Sequence, residues 1–564
     1  MSFYDDASLV VIPSGYKTSK VYAEKPTDGS GDLAFTRTGD TATRVNSAGL
    51  IEKVRTNLVL QSNTFSTTWV NSDSNETSGQ AGYDGTNNAW RLTTTISGGF
   101  IYQSVAINGL TTFSIYAKAG TQNGIILYSA HVAQGINFNL STGVVGAAFV
   151  AAPSGSLIES IGNGWYRCSI TVSSSSTNVF RIYVSDGSNT SLGNVLIQNA
   201  QVEAGDVATA YIPTTTAAVS VGPVANVPRL DYLGSSCPRL LLEGQRSNLV
   251  TFSEQLNNAA WISAGGTVTS NTATSPDGYQ NADTLTGARY QTGFASNQYT
   301  VSCFAKKVDG DGLFVLRLDV PTTFSAQFNL NNGTIVSTSA GYTSTITNYG
   351  NGWYRCTLTT PVSTTISNFV LVSASVSAAS TYVWGAQCEV GAYATSYIPT
   401  LAASATRGAD AASKTGISSL IGQTEGVAFI DFVWNGLTGV GSYPRIIELA
   451  TDSNNIIQLY SIAGTTSWGW DIINGGVVQF TGSSTMALGR NKIAVGYKLN
   501  DMVVYKNGAL IASDATCTVP ATSALGVTGT FNGAGGAQLA ASVNQTLLFK
   551  TRLTNAEMAE LTTL

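Results

Sequence analysis

The feature that most constrains this chain is that it carries one pattern twice. Arg55-Thr56-Asn57-Leu58 returns as Arg246-Ser247-Asn248-Leu249, an offset of 246 − 55 = 191 residues. Asn163-Gly164-Trp165-Tyr166-Arg167-Cys168 returns letter for letter as Asn351-Gly352-Trp353-Tyr354-Arg355-Cys356, an offset of 351 − 163 = 188. Gln201-Val202-Glu203-Ala204-Gly205 becomes Gln387-Cys388-Glu389-Val390-Gly391, and Tyr211-Ile212-Pro213-Thr214 becomes Tyr397-Ile398-Pro399-Thr400. The order is kept and the offset drifts only slightly, so residues 55–220 and 246–402 are two copies of one domain of ordinary size. The period is far longer than the roughly 20–50 residues of a solenoid repeat. Tandem copies of one module point to binding or spacing rather than to two copies of one active site.

Both copies read as β-sandwiches. In Tyr166-Arg167-Cys168-Ser169-Ile170-Thr171-Val172 apolar side chains fall on every second position, and Tyr354-Arg355-Cys356-Thr357-Leu358 repeats the alternation. That period belongs to strands with one face buried and one solvated. Phe113-Ser114-Ile115-Tyr116-Ala117-Lys118 matches Val301-Ser302-Cys303-Phe304-Ala305-Lys306. Phe138-Asn139-Leu140-Ser141-Thr142-Gly143 matches Phe328-Asn329-Leu330-Asn331-Asn332-Gly333, where Asn332-Gly333 predicts a type I′ hairpin turn. No long stretch has helical periodicity.

Residues 1–54 are too polar and too short to hold a core alone and read as an N-terminal docking or oligomerisation arm, an extended segment that serves as a docking segment, an oligomer contact or an edge strand. Its end, Thr41-Ala42-Thr43-Arg44-Val45-Asn46 then Leu50-Ile51-Glu52, has a parallel in Val227-Pro228-Arg229-Leu230-Asp231-Tyr232 then Leu241-Leu242-Glu243. Residues 221–245 are accordingly a second, connecting arm. Residues 403–425 read as a small-residue linker holding Arg407 and Asp410, and a third unit spans 426–564. In it Asn474-Gly475 and Asn507-Gly508 sit between apolar runs as hairpin turns. Thr554 or Asn555 caps a short C-terminal helix with Glu557 in its first turn.

Charged residues make up 11% of the 564, with 28 basic against 33 acidic and a net charge of −5. With no basic run to follow a phosphate backbone, nucleic acid is not an expected partner. No apolar run approaches the roughly 20 residues of a membrane span, so neither membrane insertion nor export by a signal segment is expected. Of the six cysteines, Cys303 and Cys388 stand where the first copy has Ile115 and Val202. A thiol that interchanges with aliphatic residues is a buried thiol. The six therefore read as reduced and mostly buried, which suits assembly in a cytoplasm.

Lys492-Ile493-Ala494-Val495-Gly496-Tyr497 followed by Val503-Val504-Tyr505-Lys506-Asn507-Gly508 resembles the laminin-G or concanavalin A-like sandwich, and Arg552-Leu553-Thr554-Asn555-Ala556-Glu557 resembles its closing helix. The repeated motifs resemble carbohydrate-binding-module-like jelly rolls found in tandem in bacteriophage structural proteins. The opening Met1-Ser2-Phe3-Tyr4-Asp5-Asp6-Ala7-Ser8-Leu9-Val10-Val11-Ile12-Pro13 resembles the start of fibre or appendage proteins of tailed phages. The resemblance implies an all-β virion protein of a tail fibre or head fibre, exposed on the virion surface. It would comprise tandem jelly-roll modules and then a concanavalin-like sandwich. Its implied partners are other virion proteins, reached through the N-terminal arm, host-surface or mucus glycans, and further copies of itself in a homotrimer. A purely structural decoration role and a glycan depolymerase are the competing expectations.

Catalysis is poorly provided for. The single histidine, His131, has no counterpart in the second copy. Glycoside hydrolysis needs two carboxyls roughly 5–9 Å apart, and Glu425, Glu448, Glu557 and Glu560 show none of the strand spacings that concanavalin-like hydrolases use. The duplicated Glu203 and Glu389 read as acceptors for backbone or arginine groups at a strand end, ahead of the alternative that they accept from sugar hydroxyls or ligate calcium. No enzyme activity, metal or cofactor is expected. Trp165, Trp353, Trp69 and Trp261 are duplicated and read as scaffold. The unduplicated aromatics Trp90, Trp434, Tyr460, Trp468 and Trp470 are the candidate ligand-binding residues. Trp468 and Trp470 share one strand face beside a turn, either as a sugar platform or as core packing.

Overall fold

A computed structural model describes residues 2–319, 323–361, 364–373, 379–436, 443–462, 465–531 and 538–564 (for 364, the backbone only). The chain is nearly all β and divides into two compact units. One consists of residues 54–222 with 279–281, the first repeat. The other consists of 1–53, 223–278 and 282–564.

The first repeat is a sandwich of two six-stranded antiparallel sheets. One runs, in spatial order, Gly155–Gly162, Trp165–Ser174, Gly109–Ala119, Gly193–Ala204, Ala89–Thr94, Ser74–Gln80. The other runs Val144–Ala148, Gln134–Asn139, Gly124–Ser129, Thr177–Ser185, Phe100–Ala106, Val70–Ser72. Alternate residues of each strand face inward, so Phe113, Ile115, Cys168 and Ile170 of one sheet meet Ile125, Leu127, Phe180 and Ile182 of the other in a single core. The second repeat has the same two six-stranded sheets, with Cys303, Cys356 and Cys388 in its core. Burial pushes these thiols up, that of Cys303 to about 12.

The duplicated motifs close each sandwich. Asn57 is fully buried and donates to the carbonyls of Ala200 (3.1 Å) and Ile212 (2.8 Å), while its oxygen accepts from Val59 (3.2 Å) and Val202 (3.1 Å). Asn248 does the same with Ala386, Ile398, Val250 and Cys388. One amide thereby pairs backbone groups that would otherwise be buried unsatisfied. Tyr211 and Tyr397 hydrogen-bond the hydroxyls of Ser62 and Ser253 (2.6 and 2.7 Å), which in turn accept from the amides of Thr214 and Thr400. Glu203 and Glu389 accept from Thr209 and Thr395 at a strand end, as expected for structural carboxylates.

The boundaries drawn from sequence for the flanking segments need correction. The expected arm 1–54 supplies strands of the third sandwich: Leu9–Val11 pairs antiparallel with Ala541–Phe549, and Leu33–Thr36 pairs with Ala411–Thr415. The expected arm 221–245 contributes Arg239–Leu242, on the same strand Ala541–Phe549. The expected linker 403–425 contains Ala405–Arg407, which pairs with Arg246–Asn248, and Ala411–Thr415, paired on both sides. The reason is apolar: Leu9, Leu33, Phe35 and Leu242 are 0% exposed and lie in the third sandwich's core with Phe432, Leu449 and Leu525. A segment with too little core of its own completes one far along the chain. The third sandwich thus has an eight-stranded and a nine-stranded sheet, and the helix Asn555–Thr562 closes it with a Thr554–Glu557 capping box.

Two turns also differ. Asn163-Gly164 and Asn351-Gly352 hold positive φ at both residues, the type I′ requirement, as does the expected Asn507-Gly508. At 332–333 only Gly333 has positive φ, because four residues separate the paired Asn329 and Thr334. At the other hairpin the left-handed pair is Gly475-Gly476, since Asn474 is still paired with Val477.

Candidate functional site

Of the residues singled out from sequence, most are structural. Trp434, Trp468 and Trp470 are at most 4% exposed and belong to the third sandwich's core, Trp468 and Trp470 with ring centroids 5.5 Å apart. They share a strand face, but it is the inner one, so they form no sugar platform. Trp90 is half-buried, donates its indole N–H to the Asn63 carbonyl (2.9 Å) and lies edge-on to Phe65. Tyr460 alone faces outward from the third sandwich, half-buried and T-shaped against Tyr443, which is 58% exposed. Burial and the Asp471 carboxylate push its hydroxyl up to about 12. Glu448 is 1% exposed, paired with Arg445 (2.7 Å), and accepts from the Phe531 amide. His131 is exposed on the turn after Gly124–Ser129.

A group of aromatic rings around a cation lies elsewhere, on the outer face of the first repeat's second sheet. There Phe100–Ala106, Thr177–Ser185 and Gly124–Ser129 lie side by side. Ile101, Phe180, Ile182, Ile125 and Leu127 point into the core, so by alternation Phe100, Tyr102, Arg181, Tyr183 and Tyr128 point out. The register places Phe100 and Ile126 on either side of Tyr183, and Tyr102 and Tyr128 on either side of Arg181. Phe149, from the loop beyond Val144–Ala148, is pinned by its amide on the Gly135 carbonyl (2.9 Å). Its ring lies edge-on to Tyr128 at 5.3 Å and tilted to Tyr183 at 5.4 Å. Gly135, opposite Tyr128, gives the tyrosine ring room: a Cβ there would stand 2.8 Å from Tyr128 Cδ2.

The guanidinium of Arg181 lies 4.5 Å from the Phe100 ring centroid and 5.8 Å from that of Tyr128, and donates to the Tyr183 hydroxyl at 3.1 Å. Among the described residues it has no carboxylate partner. Rings hold it in place while its charge stays uncompensated. Phe100, Tyr102, Tyr128, Phe149 and Arg181 are half-buried, neither lost in the core nor free to wave in solvent.

The second repeat is an internal control. Its register puts Ala288 and Val372 where the first has Phe100 and Tyr183, and Val370 and Arg317 where the first has Arg181 and Tyr128. Only Tyr290, at the place of Tyr102, keeps its ring, and Arg317 is neutralised by Asp319 at 2.9 Å. The same sandwich folds without the aromatic group. A signal for it was available in the sequence, in Phe100-x-Tyr102 and Arg181-x-Tyr183 set against Ala288-x-Tyr290 and Val370-x-Val372.

No family model and no curated protein matches this chain. Among solved structures, it is similar to the CBM40 module of the Ruminococcus gnavus IT-sialidase, with 16% identity and a TM-score of 0.22, over 26% of this chain and 91% of that one. It is similar also to the NanB sialidase of Streptococcus pneumoniae, with 17% identity and a TM-score of 0.22, over 26% of each chain. A mutant Trypanosoma rangeli sialidase displaying trans-sialidase activity aligns at 10% identity and a TM-score of 0.23, over 46% of this chain and 52% of that one.

Proposed function

We propose that this chain is a non-catalytic adhesin of a phage fibre or tail appendage, and that the first repeat's aromatic patch holds a host-surface or mucus glycan. The observation that carries this reading is Arg181, ringed by Phe100, Tyr102, Tyr128 and Tyr183 on a face where the duplicate repeat has none of that cage except Tyr290. Aromatic faces cover the apolar side of a pyranose ring, and a few fixed polar donors orient its hydroxyls. Trimeric assembly would turn weak single sites into avidity. The virion setting rests on the resemblance of the repeated motifs and of the N-terminal segment. Adsorption competition tests the whole reading: host cells are pre-incubated with purified protein and unbound phage are counted. Dose-dependent blocking, lost in Arg181→Ala and Tyr128→Ala and kept in Tyr290→Ala, is the expected result. Equal blocking by all variants would remove the patch from recognition, and no blocking at all would leave a decoration role.

A further inference from the structure

The second unit contains a cleft of about 480 Å³ whose walls come from the second repeat, the hairpin 43–51, the connecting segment 231–243 and the third sandwich. Its floor is a ladder of hydroxyls. Thr343, Thr345 and Thr347 stand on the edge strand Thr343–Asn348, opposite Thr359, Thr357 and Arg355 of the neighbouring strand. Thr345 and Thr357 hydrogen-bond each other at 2.6 Å, and Thr300 and Thr359 at 2.9 Å. The three edge threonines are exposed into the cleft. Tyr349 and Tyr393 add rings, and Gly436 closes on the Tyr393 ring, leaving no room for a Cβ.

Threonine is at home on any strand, but the first repeat again shows what the scaffold itself requires. At the positions of Thr343, Thr345 and Thr347 it carries Gly155, Leu157 and Glu159, with Glu159 opposite Arg167. The second repeat has exchanged an apolar residue and an acid for hydroxyls, and so leaves Arg355 without an acidic neighbour across the strand pair.

The charges of the cleft do not cancel. Arg44 is paired with Glu52 at 2.7 Å. Glu243 is taken by Arg229 and Arg407, each at 2.8 Å. Asp231, the cross-strand neighbour of Arg239, is turned to the amides of Val45 and Leu233. Arg355 donates to the Thr395 carbonyl and to Ser302. Arg239 has no ion pair or hydrogen bond among the described residues, and its Nε is shielded from solvent. A guanidinium with no partner among the described residues, lining the same cleft as a hydroxyl ladder and two tyrosine rings, is chemically suited to a polyhydroxylated anion.

We infer that this cleft is a second saccharide site, specific for an acidic sugar whose carboxylate or sulfate meets Arg239 and whose hydroxyls meet the threonine ladder. It is independent of the patch on the first repeat, so the two readings stand or fall separately. The test uses the full chain on an array of uronate-, sialate- and sulfate-bearing oligosaccharides alongside neutral ones, followed by titration of the strongest acidic ligand. The expected result is acidic-glycan binding that survives Arg181→Ala and weakens at least tenfold in Arg239→Gln. Thr347→Glu, which restores the first repeat's acid at that position, abolishes it, and Thr345→Val lowers it in protein that remains folded. Absence of acidic-glycan binding, or binding unmoved by Arg239→Gln and Thr347→Glu in folded protein, would overturn the inference.

Discussion

Arg37 and Asp410 are 373 positions apart in the chain, yet the guanidinium of one lies 3.1 Å from Oδ1 of the other and neither side chain is exposed to solvent. Arg229 holds the second oxygen of the same carboxylate and pairs with Glu243, which Arg407 also meets. These five charges come from the segments that looked like arms and linker. Their hydrogen bonds to Pro223, Val224, Thr43 and Gly244 carbonyls sew those segments together. Asp410→Asn removes the charge common to Arg37 and Arg229. Breaking one side of a buried ion pair costs about 3–5 kcal/mol, so scanning calorimetry should show the second unit's transition shifted well down and the first repeat's unchanged.

The same cluster makes the second unit sensitive to acid. Burial pushes the Glu243 carboxyl up, but Arg407 and Arg229 outweigh it and bring it from 4.5 to about 2. A carboxylate depressed on folding adds stability that is complete above its unfolded pKa and lost as pH falls through the folded one. The loss should therefore run from about pH 4.5 down toward 2. Asp231, raised by burial, opposes this in part. Melting temperature against pH should fall more steeply over that window in the wild type than in Glu243→Gln, whose melting point starts lower.

Deleting residues 2–53 should unfold the third sandwich rather than free it of an arm. Leu9 and Val11 line its core beside a strand they pair with, and Leu33 and Phe35 are 0% exposed in the same core. At about 1.5–3 kcal/mol per buried aliphatic or aromatic side chain, losing these four removes about 6–12 kcal/mol, comparable to the whole net stability of a typical domain. Limited proteolysis should degrade the truncated chain from its C-terminal third, whereas the fragment 54–222 should resist as a folded sandwich.

Much of this architecture was legible in the sequence because duplication and alternation are local signals. The strands around Cys168 and Cys356, the Asn507-Gly508 turn and the capped helix after Thr554 are each set by a few neighbouring residues. What was not legible depends on distant partners. Leu9 and Phe35 look like stray apolar residues until Leu548 and Ala412 lie beside them. Trp468 and Trp470 show one face by their spacing, but spacing does not say whether that face is inner or outer. Trp468→Ala should accordingly cost about 3–5 kcal/mol, the range for emptying a buried aromatic site, and leave any glycan affinity of the folded fraction intact, as read by titration against denaturation.

The sharpest check on the repeats is the buried asparagine at the start of each. Asn57→Asp keeps the shape of the side chain but replaces two donors with an acceptor, facing the carbonyls of Ala200 and Ile212. Each buried group left unpaired costs about 1–3 kcal/mol, and a carboxylate among carbonyls must take up a proton to be tolerated at all. Asn248→Asp imposes the same change on Ala386 and Ile398. Because the two asparagines lie in different units, calorimetry of the single variants should show two different transitions move by similar amounts. If both variants lowered the same transition, the two sandwiches would not be closing independently.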